Sequence, residues 1–304
     1  MQSPMNKFSL LLLIPGLFLA ALLPAVAWSE DKRDFQIATT IRPLQLIAEA
    51  IVKDVQAPGS VKSVIGAGQS PHHYSLSPSS RVVLERADLL IWIGPEFEVY
   101  LADLFAQMAE SDSGSKSTLT AMQLDGINLH KLTATQVDAH LWLDSTNALK
   151  IAAAIARFAV EFDSLNADAY EENLSQFTRE IESMNVEIAS SLAPAARPYI
   201  VYHNAYQYFE KQFGLDHQLS LLSDPETQPG IRELLATRRR IKEESPQCLI
   251  LEPDSNPNLI ATILSGHELS RVTIDLLGYN MNAESGSYIK FMRGVAAAFR
   301  NCLY

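Results

Sequence analysis

The stretch Ala167–Leu192, ADAYEENLSQFTREIESMNVEIASSL, decides how the rest of the chain is read. Apolar side chains recur at Tyr170, Leu174, Phe177, Ile181, Met184, Ile188 and Leu192. These steps of three and four place them on one face of a helix. Asn166 is positioned to cap the first free amides, Glu171 and Glu172 suit the positive end of the helix dipole, and Pro194 closes the far end. At about 1.5 Å per residue the helix is roughly 39 Å long, about the span of a domain. It can therefore act as a stiff strut between its flanks.

Both flanks alternate short apolar runs with helical patterns. Before the strut, strands are expected at 35–40, 61–66 and 89–93, with helices at 43–53, 78–87 and 96–109. The Ser-, Gly- and charge-rich segment 110–117 reads as a surface loop, followed by a weak strand at 119–124 and a helix through 147–162 capped by Asp144 or Ser145. After the strut, strands are expected at 199–202, 219–222, 249–251 and 272–274, with helices at 205–213, 231–242, 259–264 and 287–302. Such alternation implies βα units and largely parallel sheets. The reading is an α/β protein of two lobes, residues 28–165 and 194–304, joined by a rigid backbone helix over 166–193. No sequence repeat relates the lobes.

With 304 residues the chain can bury a sizeable core. A net charge of −11 argues against a nucleic-acid binder, which needs clustered Lys and Arg. The short basic run Arg238, Arg239, Arg240 and Lys242 reads as a solvated helix face. Residues 1–27 read as a secretory signal: Lys7 supplies the positive region, residues 8–23 an apolar run, and Ala25-Val26-Ala27 a cleavage site. No cysteine lies near that site to be acylated, and no later run is long and apolar enough to span a membrane. The expected product is a soluble exported protein. In such a compartment Cys248 and Cys302 can persist as a disulfide, and a zinc-thiolate role is less supported because CxxC spacing is missing.

In open parallel sheets, ligands bind beyond the carboxyl ends of the strands. His72, His140, His203 and Asp275 all fall at or near such ends, two from each lobe. If the lobes face one another, three imidazoles and a carboxylate converge, a set suited to zinc or another borderline divalent cation. With neutral imidazoles the filled site carries a formal charge of about +1. Glu252 follows a strand of the second lobe and can reach the same cleft, either to ligate or to support a ligand. His130, His217 and His267 read as surface or structural residues, and Trp142 and Tyr206 as cleft wall or core.

The words around these histidines are more specific than their spacing. Ser70-Pro71-His72-His73-Tyr74-Ser75-Leu76, Ala87-Asp88-Leu89 and Trp92-Ile93-Gly94-Pro95-Glu96-Phe97-Glu98 resemble the periplasmic zinc-binding proteins of ABC uptake systems, the ZnuA-like (cluster A-I, or cluster 9) solute-binding proteins. Asp138-Ala139-His140-Leu141-Trp142-Leu143 is similar to that family's second ligand motif, Tyr202-His203-Asn204-Ala205-Tyr206 to its third and Thr273-Ile274-Asp275-Leu276-Leu277-Gly278 to its fourth. The resemblance covers nearly the whole exported chain in order. It implies a clamshell that holds one Zn²⁺ per chain between its lobes and hands it to a membrane permease in the periplasm, as a monomer without catalytic activity. It implies His72, His140, His203 and Asp275 as ligands, with Glu252 or water as alternatives in the fourth position, and a Cys248–Cys302 disulfide. His203 stands where manganese-type relatives carry a carboxylate, which favours zinc.

The chain also departs from that pattern. Residues 110–137 hold only His130, where zinc-type relatives carry a His-rich acidic loop; His73 replaces an Asp, and Leu276 replaces a Pro. Other functions compatible with these residues are a zinc metallochaperone or adhesin on the same fold, a manganese-specific relative, and a zinc hydrolase using Glu252 as base. The hydrolase is disfavoured because four candidate ligands would close the shell that a catalytic zinc leaves open.

Overall fold

The computed structural model describes residues 1, 35–72, 74–111, 116–132, 134, 136–193, 197–222, 229–281 and 287–304. The expected signal segment with its cleavage site, His73 and Pro194 lie outside the described residues. In chain order the elements are β1 Ile37–Thr39, α1 Arg42–Val52, β2 Val61–Ser63, α2 Pro78–Arg86, β3 Leu89–Trp92, α3 Val99–Ser111, β4 Ser117–Thr120, α4 Ser145–Phe162 and α5 Ala167–Leu192. The second half adds β5 Tyr199–His203, α6 Gln207–Phe213, β6 Ser220–Leu222, α7 Ile231–Glu244, β7 Cys248–Leu251, α8 Pro257–Leu264, β8 Ser270–Thr273 and α9 Tyr288–Leu303.

Among the described residues the strands form two four-stranded sheets, ordered β2-β1-β3-β4 and β6-β5-β7-β8, with every pairing parallel. The second order repeats the first with four added to each number. The two halves thus share a topology that leaves no trace as repeated sequence. In each sheet the chain reverses its direction of growth between neighbouring strands, β1 and β3 or β5 and β7, and the loops there open a crevice beyond the carboxyl ends.

Helix α5 buries Tyr170, Phe177, Ile181, Met184, Ile188 and Leu192, with Leu174 partly buried on the same stripe. That stripe packs on α1, α4 and α9, so the strut is sheathed in helices from both halves. Its start differs from the expected one. Asn166 makes no capping bond; its Nδ2 instead donates to Asp163 Oδ2 (2.7 Å), because a 3₁₀ turn over Ser164–Asn166 leads directly into the helix. Asp163 also accepts a bond from the Tyr170 hydroxyl (3.0 Å), which pins the junction. Other boundaries shift as well. Helix α3 runs on through Glu110 and Ser111, and β4 begins at Ser117 because it pairs with β3 from Leu89↔Ser117 onward, leaving 121–123 as a 3₁₀ turn.

One continuous apolar core joins residues of both sheets, including Ile37, Leu90, Val201 and Ile250, to the stripes of α5 and α9. The outward face of the second sheet has its own cluster, in which Ile200, Leu221 and Leu249 meet Ile241 of α7 and Ile260 and Ile263 of α8. Strand periodicity makes the division: along β5, Tyr199 and Val201 face one cluster, Ile200 and Tyr202 the other. Cys248 and Cys302 form a disulfide tying β7 to the end of α9. At a sequence separation of 54, the cross-link removes about 4 kcal/mol of unfolded-chain entropy on the loop-closure model. The basic residues Arg239, Arg240 and Lys242 are exposed on α7, and among the described residues no helix is long and apolar enough to cross a membrane.

The two halves are stitched by buried polar contacts as well as by core. Trp142 Nε1–H donates to the Leu276 carbonyl (3.0 Å), the Tyr288 hydroxyl to the Trp142 carbonyl (2.7 Å), and the Tyr208 hydroxyl to the Asp138 carbonyl (2.7 Å). Arg42 Nε reaches the Gly278 carbonyl at 3.2 Å. Gly278 has φ +66°, and a Cβ there would lie 3.1 Å from the Phe291 ring, so the turn beside the crevice requires glycine. Every one of these contacts borders the loops that carry the candidate ligands.

Candidate metal centre

His203 is the last residue of β5, a strand buried along its whole length, so its ring is delivered to the crevice by rigid backbone. His140 arrives from the other half. It follows Asp138 and Ala139 and opens a 3₁₀ turn, Leu141–Leu143, whose three side chains are all buried. His72 lies in the loop between β2 and α2, where its backbone N–H donates to Ser70 Oγ (3.2 Å). Its ring stands edge-on to Phe97 at 4.9 Å between centroids.

One ring nitrogen from each of His72, His140 and His203 lies within 4.8 Å of the other two. The Nε2 atoms of His140 and His203 are 3.3 Å apart. A tetrahedral zinc ion with Zn–N bonds of about 2.0–2.1 Å holds its donors about 3.4 Å apart. Two of the three are thus already at metal-binding separation, and the third lies within 4.8 Å of both.

Each of the two buried rings is oriented by a carboxylate on its far side. Asp138, fully buried, accepts the His140 backbone N–H at 3.0 Å through Oδ1, and the same oxygen lies 2.8 Å from His140 Nδ1. Glu252 Oε1 lies 2.5 Å from His203 Nδ1. A carboxylate at Nδ1 keeps the proton there and turns the Nε2 lone pair toward the partner ring. With both lone pairs converging, the approach is favourable only when a proton or a cation sits between the rings. Burial lowers the His203 pKa, but the charge of Glu252 and its hydrogen bond outweigh that, and the net shift is upward.

Asp275 lines the same cavity, as do Glu252, Asp254, Trp142 and the loop 67–71. Its carboxylate does not join the three nitrogens: Oδ1 accepts the Leu277 N–H (3.1 Å) and Oδ2 the Asn280 N–H (2.7 Å), so both oxygens are engaged in shaping their own turn. Leu276 is buried, and its carbonyl receives the Trp142 indole. Tyr206 is fully buried, and burial, then the neighbouring Glu252 carboxylate, pushes its phenol well above the ordinary value. His130 packs at a tilt against Tyr208 with ring centroids 4.3 Å apart, His217 Nδ1 contacts Glu210 at 2.8 Å, and neither they nor His267 line the cavity.

Two further carboxylates matter here without having been singled out as site residues from the sequence. Asp138 is the first; its place two residues before His140 is the signal that marks it. Glu98 is the second. Fully buried, it accepts from the Thr40 hydroxyl (2.5 Å) and from the N–H groups of Ile93 (3.2 Å) and Gly94 (2.9 Å). Burial raises its pKa to about 7 against those bonds. It fixes the turn that carries Phe97 against His72, a role that no local pattern announces.

A family model described as ZnuA, "Zinc-uptake complex component A periplasmic", matches residues 37–302. The chain belongs to the ZnuA family. It is 31% identical over 291 residues to the high-affinity zinc uptake system protein ZnuA of Yersinia pestis, covering 88% of this chain and 91% of that one. It is 28% identical over 307 residues to the ZnuA of Brucella abortus (strain 2308), with 88% and 91% covered. Its fold is similar to a crystal structure of ZnuA (TM-score 0.76, 23% identity, 90% of this chain and 100% of that one). It is equally similar to the laminin-binding protein Lmb of Streptococcus agalactiae, described as having adhesin and metal-transporting activity (TM-score 0.76, 21% identity, 90% and 100% covered). These ZnuA-type structures bear out the α/β architecture of paired parallel sheets and a long intervening helix.

Removing a carboxylate behind a ligating imidazole typically weakens metal binding 10- to 100-fold. Asp138→Asn and Glu252→Gln are each expected to weaken zinc binding by that factor in competition titrations against a fluorescent chelator. Unchanged affinity in both would mean that the rings are not oriented as described.

Proposed function

We propose that this ZnuA-family chain is the zinc-binding component of an ABC importer, capturing one Zn²⁺ in the periplasm through His72, His140 and His203 and delivering it to a membrane permease. The observation that carries the reading is the approach of three imidazole nitrogens, one from a loop and two from buried backbone, to within 4.8 Å of each other. Imidazole donors suit zinc over the harder ions magnesium, calcium and manganese. The zinc-uptake role of the relatives, at about 30% identity across most of both chains, supports the same cargo.

Capture follows from the electrostatics. Zinc entering between His140 and His203 meets two imidazole nitrogens already 3.3 Å apart, and Glu252 and Asp138 stabilise the positive charge it brings. Asp275 stays on the cavity wall, holding the turn that faces the ion. The helical sheath around α5 and the buried bonds across the seam favour small adjustments of loops over wide hinge opening, so release is expected to require the permease to disturb the ligand loops themselves.

Two outcomes test this. Because His203 holds its proton above the usual imidazole value, protons compete with zinc from a higher pH than for a free imidazole, and affinity should fall continuously as pH drops from about 8 through about 6. Flat affinity over that interval would remove His203 from the site. In a bacterium lacking its own zinc importer component, the wild-type gene with its cognate permease should restore growth on scarce zinc, and His203→Ala should not. Equal growth with both would contradict capture at this site.

A further inference from the structure

Three imidazoles do not complete a zinc shell, and the cavity they face is larger than a metal-bound water needs. Its volume is about 250 Å³, against about 30 Å³ for a water molecule in the liquid. That exceeds the roughly 150 Å³ of an engineered cavity that accepts benzene, and falls just short of the about 300–1,000 Å³ of drug-sized sites. The space suits a small metabolite. Its chemistry narrows the class. The carboxylates of Asp254 and Asp275 line it, and among the described residues no Lys or Arg does, so a polycarboxylate chelator would meet like charge. Ala67, Pro71 and Leu277 supply an apolar remainder.

We propose that the cleft takes zinc as its chelate with an α-amino acid, whose amino nitrogen and one carboxylate oxygen occupy the side of the ion that His72, His140 and His203 leave open. This rests on the three-histidine zinc site above. The ammonium group releases one proton to solvent as its nitrogen binds, so the amino acid enters as a monoanion and lowers the charge of the ion from +2 to +1. The zinc becomes five-coordinate, which it tolerates. The remaining amine N–H bonds are donors matched to Asp254, and the side chain lies along the apolar wall. Asp275 need not leave its backbone partners, Leu277 and Asn280, for the shell to be filled.

The test is native mass spectrometry of the zinc-loaded full chain titrated with L-histidine, with imidazolepropionate, which lacks the amine, and with citrate. A 1:1:1 protein–zinc–histidine species is expected, at least tenfold tighter than the imidazolepropionate or citrate species. Ala67→Trp, at an exposed position on the cavity wall, should keep the zinc and lose the histidine complex tenfold or more. A zinc-loaded chain that never retains histidine, or retains imidazolepropionate and citrate equally well, overturns the chelate while leaving the zinc site standing. A parent chain that takes no zinc overturns the site itself.

Discussion

Two imidazole nitrogens held 3.3 Å apart in a buried place cannot both present lone pairs unless something positive lies between them. Much of the architecture around the crevice serves to impose that condition. His203 is fixed at the end of a wholly buried strand, and His140 is fixed by a carboxylate that grips its backbone and ring through a single oxygen. Glu252 and Asp138 add negative charge directly behind the pair. The arrangement is costly without a cation, and that cost is the source of affinity.

Holding two rings from opposite halves at this separation requires a rigid seam. The continuous core through α5 and α9 supplies most of the stabilisation, at about 1.5–3 kcal/mol for each large apolar side chain fully buried. Position comes from elsewhere. The bonds from Trp142 to Leu276, Tyr288 to Trp142 and Tyr208 to Asp138 are each worth only about 1 kcal/mol net, but they are directional and run through the segments that bear the ligands. Glu98 does the same for the turn beside His72, where a buried carboxylate, its pKa raised by burial, is retained for two bonds to that turn and one to Thr40.

Much of this was legible in the chain itself, for identifiable reasons. The period of residues 167–192 gave the strut at its full length because six of its apolar positions face an unbroken core. The histidines of the site were found through the words that surround them, since their spacing of more than sixty residues carries no local signal. What stayed hidden depends on tertiary pairing. The register of β4 follows β3, and the junction at Asn166 is decided by Asp163 and Tyr170. The doubled sheet order could not be read because topology repeats where side chains do not. Asp275 reaches the cavity wall as its position after a strand suggests, and the bonds its two oxygens accept from the Leu277 and Asn280 N–H groups depend on a turn that no local pattern specifies.

The most direct test of the central claim is X-ray absorption at the zinc edge on the loaded chain, purified without added chelator. The account predicts three imidazole nitrogens at about 2.0–2.1 Å with further oxygen or nitrogen scatterers completing the shell. A spectrum with at most one imidazole, or with a six-oxygen shell, would contradict it.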